Sequence, residues 1–264
     1  FTEKAYRNTT EKFRWGGLDV PGAKPYYDET AARMANTTRL AILETVEALL
    51  EEGETAEKVM NHAEGETEIT DIPARCLTKE WIADRYNKAR TLLQTIEKKV
   101  PFTLVPANFT ITDDIARYYY RIADYSKLDA DRAAGDRFIN ATIDKYAAYI
   151  RYYQSLSYNQ LSGLTQTDLD LCNEGGFLSL LCTYNEGNPK AAKAKVAQLE
   201  KSGVNVWTLF NRAASSCGNG SKSAIYNLYH SYIMLNDVDE NKLSDFLQKN
   251  PNCAEIVYKV FQAL

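Results

Sequence analysis

Apolar side chains recur at steps of three and four residues through much of residues 28–158, and this spacing constrains the fold more than any other feature of the sequence. Such a period places the apolar residues on one stripe of an α-helix. The stripe is most regular before Pro101, where its members are Ile82, Tyr86, Ala89, Leu93, Ile96 and Val100. Steps of this kind are typical of helices that pack along a shared seam. The sequence therefore predicts long helices that fold back on one another.

Two of these helices are delimited by residues that favour helix ends. Asp28 can cap a first helix that runs to about Ala63, and Thr78 can cap a second helix that ends before Pro101. At about 1.5 Å per residue, the second helix is about 33 Å long. The seam of the first helix consists of small and apolar residues: Ala35, Ile42, Val46, Leu49, Gly53, Ala56, Met60 and Ala63.

A third helix is predicted from a Thr112 cap to about Tyr158, because one heptad register holds across this range. At the same rise per residue it is about 70 Å long. Together the three helices favour an elongated antiparallel three-helix bundle. The seam of the third helix consists of Ile115, Tyr118, Ile122, Tyr125, Ile139, Ile143, Tyr146, Ile150 and Tyr153.

Three charged residues, Asp129, Arg132 and Asp136, interrupt the seam of the third helix. Their spacing suits an ion triad on one face of a continuous helix. The alternative is a helix break or a side pocket, with Gly135 as the hinge. The pattern leaves both interpretations open.

The remaining residues, 159–264, predict shorter helices that are delimited by strong end signals. No fixed-period repeat is evident, so a solenoid is a minor alternative, and no period-two alternation predicts a strand. We expect one all-α ectodomain over residues 1–264, in which the 28–158 bundle carries a compact 159–264 helical region. The end signals are Asn188–Pro189, Gly203, Ser221 and Asn250–Pro251.

The cysteines and the N-glycosylation sequons point to the secretory pathway. Disulfides help most where short helices bury little surface, so we expect them to pin the C-terminal region. The candidate pairs are Cys172 with Cys182 and Cys217 with Cys253; other pairings stay open, and Cys76 is the expected odd cysteine. Five Asn-x-Ser/Thr sequons predict glycosylation at Asn8, Asn36, Asn108, Asn140 and Asn219. We therefore expect an extracellular or cell-surface protein.

Charge and hydropathy exclude two kinds of partner. The formal net charge is −4 and no basic block is present, so nucleic acid is not expected as a partner. No apolar run reaches the roughly 20 residues that a membrane-spanning helix needs. Because the chain begins at Phe1 without an initiator methionine, we expect any signal peptide or membrane anchor to lie outside this fragment.

No motif indicates an enzyme, a metal site or a cofactor. Phosphate-binding loops, dinucleotide fingerprints and zinc-ligand spacings are all absent. Several acidic and histidine residues resemble fragments of metal sites, but each has a simpler structural interpretation as a helix end, a cap or a packed side chain. These residues are His62, His230, Asp129, Asp131, Asp168, Asp170 and the run Asn236–Asn241.

Tyrosine is the one signal of a binding surface, because the chain has 18 tyrosines and half of them lie in the third predicted helix. Tyr120 and Tyr152 fall on outward heptad positions, and Tyr119 and Tyr149 flank the seam. Tyrosine offers rigid contact area with a polar tip and is enriched at interfaces. These four residues are the predicted ligand-binding surface, unless the C-terminal helices cover it.

A rod of long helices over residues 28–158, with several sequons and few cysteines, resembles the surface receptors of African trypanosomes, including the invariant surface glycoproteins and the haptoglobin–haemoglobin receptor. The resemblance implies a three-helix ectodomain that binds a host serum protein and is held at the surface by a C-terminal anchor. The helical region of about 100 residues after the bundle departs from that pattern. No functional residue carries over.

The sequence thus favours a non-enzymatic helical receptor or interaction domain that binds a protein ligand. Two rival interpretations remain. One is a secreted all-helical enzyme whose acidic residues converge from distant segments. The other is an intracellular helical scaffold.

Overall fold

The computed structural model describes residues 1–20, 22, 28–61, 72–157, 160, 174–217 and 222–263. Within these ranges the regular structure is helical and contains no strand, which confirms the all-α prediction. The chain divides into two compact units, Phe1–Gly135 and Asp136–Leu264. The boundary lies inside a helix, not at residue 158 where the sequence pattern changes.

Unit 1 is built on three helices that each contact the other two. The helices of this unit are α1 (Thr2–Arg7), α2 (Glu29–Asn61), α3 (Lys79–Lys99), α4 (Phe109–Ser126) and the first turns of α5 (Asp129–Gln154). A π-helical turn (Asn8–Lys12) follows α1, and a 3-10 turn (Ala74–Cys76) precedes α3.

The helices α2 and α3 are antiparallel. The early residue Arg39 of α2 binds the carbonyl of Val100 after α3, and the late residue Glu52 of α2 binds Arg85 near the start of α3. The predicted seam of α3 is buried throughout, from Ile82 to Val100. The caps were also predicted correctly, since Asp28 accepts from the amide of Ala31 and Thr78 from that of Trp81.

One seam position of α2 is a glycine because an aromatic ring occupies the space beside it. A Cβ on Gly53 would lie 3.1 Å from the Tyr86 ring. The same ring stacks on Tyr125 of α4, with ring centroids 3.9 Å apart. Tyr86 thereby joins all three helices of the bundle. Most of the predicted seam of α2 is buried, but Met60 is exposed and Ala63 lies outside the described residues.

The prediction of one helix from Thr112 to about Tyr158 is wrong. The helix α4 begins earlier, with Asn108 as its cap, and ends at Ser126 because Lys127 adopts a left-handed conformation with φ 58°. The Ser126 hydroxyl accepts from the amide of Leu128 at 3.2 Å and donates to Asp131 at 2.7 Å. Such local bonds compete with helix continuation. Two helices of about 27 and 39 Å therefore replace the 70 Å rod.

The residues around the predicted polar interruption belong to this turn. Arg132 binds Asp124 at 2.7 Å across it, and the Tyr120 ring lies against Gly135. A Cβ on Gly135 would lie 2.7 Å from a carbon of that ring. The two contacts are symmetric about the turn, as in an antiparallel helical hairpin. The break is therefore real, but Gly135 is a close-approach site inside α5 and not the hinge.

A buried arginine holds the connector between α3 and α4 onto α2. Arg39 is fully buried, and one of its terminal nitrogens donates to the carbonyls of Val100 and Val105, both at 2.7 Å. Its guanidinium also lies 4.2 Å from the centroid of the Phe102 ring. Burial lowers the pKa of Arg39 to about 10, so the group stays charged at neutral pH. Two carbonyl groups thus stand in for a counter-ion.

Unit 2 contains the rest of α5 and five further described helices. These are α6 (Glu174–Gly187), α7 (Pro189–Lys201), α8 (Val206–Ser216), α9 (Lys222–Lys249) and α10 (Pro251–Ala263). The helix α9 packs against α6, α7, α8 and α10. Polar contacts tie α5 to α6 and α7: Asn140 donates to Tyr184, and Lys195 pairs with Asp144, both at 2.7 Å.

Most of the predicted end signals in unit 2 are confirmed. Asn188 caps α7 with proline as its first residue, Gly203 with φ 91° follows its end, and Pro251 opens α10. Ser221 lies outside the described residues. The helix α9 is longer than predicted, with 28 residues, and it bends at Asp239, whose side chain caps the second part by accepting from the amide of Lys242.

The predicted disulfide between Cys217 and Cys253 is not formed, because both residues are buried free thiols. Each behaves as a small apolar side chain in the packing of its helix, and burial raises the pKa of both thiols. Cys182 is buried on α6, with its Sγ 3.9 Å from the Ser231 hydroxyl. Its predicted partner Cys172 lies outside the described residues. Cys76 is a half-buried free thiol.

Candidate functional site

The structure separates the four tyrosines that were predicted to bind a ligand. Tyr120 is 5% exposed, so its assignment to an outward position is wrong, and Tyr119 is 2% exposed with its hydroxyl 2.7 Å from Glu97. The predicted seam residues Ile115 and Ile122 of α4 are buried, but the turn at Lys127 folds α5 back onto α4, so that Gly135 also covers Tyr120. In unit 2, Tyr152 is exposed and Tyr149 is half-buried. Tyr119 and Tyr120 therefore cannot form an accessible surface.

A larger group of exposed aromatic residues lies on α9 and α10. The most exposed members are Tyr258 at 64% and Tyr226 at 56%, followed by Phe261 at 41% and Ile233 at 38%. The half-buried members lie between them on the same helices. We call this group the aromatic surface, and its residues are Tyr226, Tyr229, His230, Tyr232, Ile233, Tyr258 and Phe261.

Ring contacts hold the aromatic surface together. Phe261 of α10 packs edge-on against Tyr229 and Tyr232 of α9, with ring centroids 5.1 and 4.9 Å apart. The His230 ring lies 4.1 Å from Tyr226 and 5.5 Å from Tyr229. Aromatic pairs prefer such tilted and edge-to-face arrangements. Five rings of the aromatic surface are therefore in mutual contact: those of Tyr226, Tyr229, His230, Tyr232 and Phe261.

Helical spacing explains why these residues share a surface. On α9, Tyr226, Tyr229, His230 and Ile233 recur at steps of three and four, so they face one side of the helix. The opposite side is the buried one, with Leu228, Met234 and Leu235. Both sides of this part of α9 are thus apolar, and one of them faces outward.

The aromatic surface carries few charges. His230 is one of two histidines in the chain, and its Nδ1 lies 3.6 Å from a carboxylate oxygen of Glu186 on α6. A protonated imidazole can pair with that carboxylate, and a neutral one offers a donor and an acceptor to a partner. The surface therefore combines apolar contact area with tyrosine hydroxyls and one imidazole.

This surface was not predicted from the sequence. His230 was interpreted as a packed side chain, and no role was assigned to the tyrosines around it. The sequence does contain a signal for this surface. Apolar residues occur on more than one side of α9, so the helix carries more than one apolar stripe. A helix that buries one stripe leaves the second on the surface.

Two of the acidic residues that resembled parts of metal sites have structural roles. Asp131 is buried and forms two 2.7 Å bonds to Arg90, and Asp239 is a helix cap. Asp168, Asp170 and His62 lie outside the described residues. Within the part of the chain that the structure describes, no group of three or more histidine, cysteine or acidic residues is placed to hold a metal ion.

One carboxylic acid in unit 1, Asp114, has a raised pKa. Burial, together with the charges of Asp113 and Glu47, raises the pKa of Asp114 from 3.8 to about 6. Because the pKa is higher in the folded state, the folded protein binds this proton more tightly than the unfolded chain does between pH 3.8 and about 6. Stability from this group is therefore full below pH 3.8 and is lost as the pH rises through about 6.

Replacing Asp114 by asparagine is expected to raise the free energy of unfolding at pH 7 by about 1–2 kcal/mol, because the amide cannot ionise. At pH 3.5 the two proteins should be equally stable. Denaturant unfolding from pH 3.5 to 7.5 measures the difference, with the exposed Glu80→Gln as the control. A variant that gains nothing at pH 7 would show that Asp114 ionises normally.

The sequons differ in whether their asparagine nitrogen is available. Asn8 and Asn108 are exposed. Asn36 is half-buried and its Nδ2 donates to the carbonyl of Pro106, and Asn140 is half-buried and its Nδ2 donates to the Tyr184 hydroxyl at 2.7 Å. Asn219 lies outside the described residues. Because the glycan is attached to Nδ2, a sugar at Asn140 would disturb the hydrogen bond to Tyr184.

If the chain passes through the secretory pathway, we expect glycans at Asn8 and Asn108 and none at Asn140. Peptide mapping of protein secreted from a eukaryotic host, before and after enzymatic deglycosylation, measures the occupancy of each site. Asn140→Gln should leave the mass of the glycoprotein unchanged apart from the substitution, whereas Asn108→Gln should remove one glycan. A fully occupied Asn140 would contradict the contact with Tyr184.

No family model, curated protein or solved structure matches the chain. Among the helices that the structure describes, none is long and apolar enough to cross a bilayer. The interpretation of function therefore depends on the chemistry of the surfaces.

Proposed function

We propose that this chain is a non-enzymatic, cell-surface or secreted helical domain that binds a protein ligand through the aromatic surface of α9 and α10. The observation that carries the proposal is the exposure of Tyr226, Tyr258, Phe261 and Ile233 on adjoining helices. Contiguous exposed apolar residues of this kind mark interaction sites in soluble domains.

The composition of the aromatic surface favours a protein over a small molecule. Tyrosine supplies large contact area at a low cost in side-chain entropy, and it is enriched among the residues that dominate binding energy. Its hydroxyl groups can bond a partner's backbone. The low charge of the surface suits the centre of an interface, from which charged residues are depleted. A host serum protein is the ligand class that the resemblance to trypanosome surface receptors implies.

The test compares two exposed tyrosines of the aromatic surface with one elsewhere in unit 2. Candidate ligands are captured from host serum on immobilised protein, identified by mass spectrometry, purified, and measured by surface plasmon resonance. We expect Tyr226→Ala with Tyr258→Ala to weaken binding at least about 30-fold, which corresponds to about 2 kcal/mol.

The matched control is Tyr152→Ala, because Tyr152 is 57% exposed and lies on α5. It should bind as the unaltered protein does. If Tyr152→Ala abolishes binding and the double variant does not, the ligand binds at α5 and the aromatic surface is not the site. If none of the variants binds more weakly, neither tyrosine group is the site.

The proposed location has its own test. Protein from its natural source should carry N-linked glycans, since the secretory pathway attaches them to exposed sequons. Unmodified sequons with all five cysteines as free thiols would favour an intracellular scaffold. Mass spectrometry of non-reduced peptides reports both properties together.

A further inference from the structure

Unit 1 contains a cavity of about 760 Å³ between α1, α2, α3 and the segment that precedes α3. Ligand sites commonly occupy clefts of about 300–1,000 Å³ with apolar walls and a few polar groups. The apolar part of this wall consists of Ala48, Ile72, Pro73 and Trp81. We call it the Trp81 cavity.

The charged groups of the Trp81 cavity are mostly carboxylates. Glu3, Glu51 and Glu52 line it, against two guanidinium groups, Arg75 and Arg85. Two hydroxyl groups, those of Thr2 and Thr55, are the other polar groups of the helical walls. The cavity thus offers more hydrogen-bond acceptors than donors.

The terminal nitrogens of Arg85 have little capacity left for a ligand, whereas its buried Nε has no hydrogen-bond partner among the described residues. Its side chain is 7% exposed, and its terminal nitrogens bind Glu52 at 3.3 Å, Glu3 at 3.2 Å and Asp84. Its guanidinium also lies over the Trp81 ring, 4.8 Å from the centroid. The charge of Arg85 is therefore neutralised within the wall.

The carboxylates of Glu3 and Glu52 use only part of their hydrogen-bonding capacity within the protein. Glu3 accepts from Lys88 at 2.7 Å, and these hydrogen bonds lower the pKa of Glu3, so it stays ionised. Glu52 accepts from the hydroxyl of Thr2 at 2.8 Å. A carboxylate has about four acceptor positions, which leaves lone pairs on both groups for a further donor.

Glu51 and Arg75 are the lining groups whose charge is not balanced by an ion pair in the described part of the chain. Glu51 lies one turn before Thr55 on the rigid helix α2, whereas Arg75 lies on the exposed 3-10 turn. Both side chains are exposed, but the backbone beneath Glu51 is regular helix and that beneath Arg75 is a three-residue turn, so Glu51 is the better-positioned anchor.

We propose that the Trp81 cavity binds a small organic cation, in which an ammonium or amidinium group pairs with Glu51 and an apolar or aromatic body packs on Ile72, Pro73 and Trp81. A planar amidinium can form two parallel hydrogen bonds to a carboxylate. The apolar body removes from water the half-buried side chains of Ile72 and Trp81 and the exposed ring of Pro73.

The test uses three probes of similar shape and different charge: benzamidine, benzamide and benzoate. The chain has three tryptophans, so a nitrogen-15 NMR spectrum shows three indole signals, and Trp81→Phe identifies the one that reports on the cavity. Benzamidine should shift that signal with a dissociation constant on the order of 1 mM, the range expected for a ligand of about nine non-hydrogen atoms. Benzamide and benzoate should bind at least about tenfold more weakly, since they lack the ion pair.

Two variants test the assigned roles of the charges. Glu51→Gln should weaken benzamidine binding about fivefold, whereas Glu44→Gln, two turns earlier on the same helix, should leave it unchanged. Arg75→Ala should strengthen binding, because it removes a competing positive charge. These residues are exposed, so the variants should fold normally.

The opposite results would overturn the proposal. If benzoate shifts the Trp81 signal more than benzamidine does, or if Arg75→Ala weakens binding, the cavity takes anions. If benzamidine leaves the Trp81 signal unchanged at about 10 mM, ten times the expected dissociation constant, the cavity does not bind organic cations. An effect confined to Trp15 or Trp207 would place the binding elsewhere.

Discussion

Replacing Arg39 by methionine is expected to lower the free energy of unfolding by about 2–4 kcal/mol. Methionine fills a similar volume but cannot donate to the carbonyls of Val100 and Val105, whose residues are both 1% exposed. An unsatisfied buried carbonyl costs about 1–3 kcal/mol, and two are created. Methionine also removes the cost of burying the Arg39 charge, which offsets part of that loss.

Chemical denaturation monitored by circular dichroism measures the effect. Arg33→Met is the control, because Arg33 is exposed on the same helix, and it should change stability by less than about 0.5 kcal/mol. The free energy of unfolding of Arg39→Lys should lie between those of Arg39→Met and Arg33→Met. The lysine ammonium can reach the site, but it lacks the planar, two-pronged donor geometry of the guanidinium. If Arg39→Met proves as stable as the original protein, water or other donors satisfy the carbonyls.

The second large effect is expected at the ion pair between α3 and the first turn of α5. Arg90 binds Asp131 through two hydrogen bonds of 2.7 Å, and Asp131 is 4% exposed. Burial raises the pKa of Asp131, but the hydrogen bonds from Arg90 and Ser126 outweigh it and lower the pKa. Arg90→Met leaves this carboxylate buried and uncompensated. We expect a loss of about 3–5 kcal/mol.

A double-mutant cycle measures the interaction energy of Arg90 with Asp131 separately from their other contacts. Arg90→Met with Asp131→Leu should be more stable than Arg90→Met alone, because the double variant contains no unpaired charge. The exposed pair Arg7–Glu11, 3.8 Å apart, is the control and should show no measurable coupling. Below the folded-state pKa of Asp131 the effect of Arg90→Met should shrink, since stability from a lowered pKa is lost as the pH falls. If the stability losses of the two single variants simply add in the double variant, Arg90 and Asp131 are not energetically coupled.

The sequence predicts the bundle of unit 1 well because its apolar periods are local and uninterrupted. The seam of α3 and the caps at Asp28 and Thr78 are confirmed for this reason. The break after Ser126 was predicted only as one of two alternatives and at another residue, because Tyr125 and Ile139 lie two heptads apart and the register passes over the turn unchanged. Heptad spacing measures where apolar residues recur, not whether the backbone between them is helical.

The candidate site was harder to predict than the fold. Whether an apolar stripe is buried depends on which helices cover it, and that is a property of tertiary packing. Tyr120 was placed outward by its heptad position but is covered by the glycine side of α5. Tyr226 and Tyr258 look like core residues by composition but are exposed. The Trp81 cavity joins residues from four segments, and no sequence window contains them together.

The contact between Tyr120 and Gly135 makes these two positions a matched pair. A side chain at position 135 would need the space that the ring fills, since even a Cβ would lie 2.7 Å from it. In other species, a protein descended from the same ancestor should therefore keep both residues or change both, with a larger residue at 135 accompanied by a smaller one at 120. This covariation offers a way to recognise such proteins where overall identity has decayed, because it requires only that the hairpin be kept.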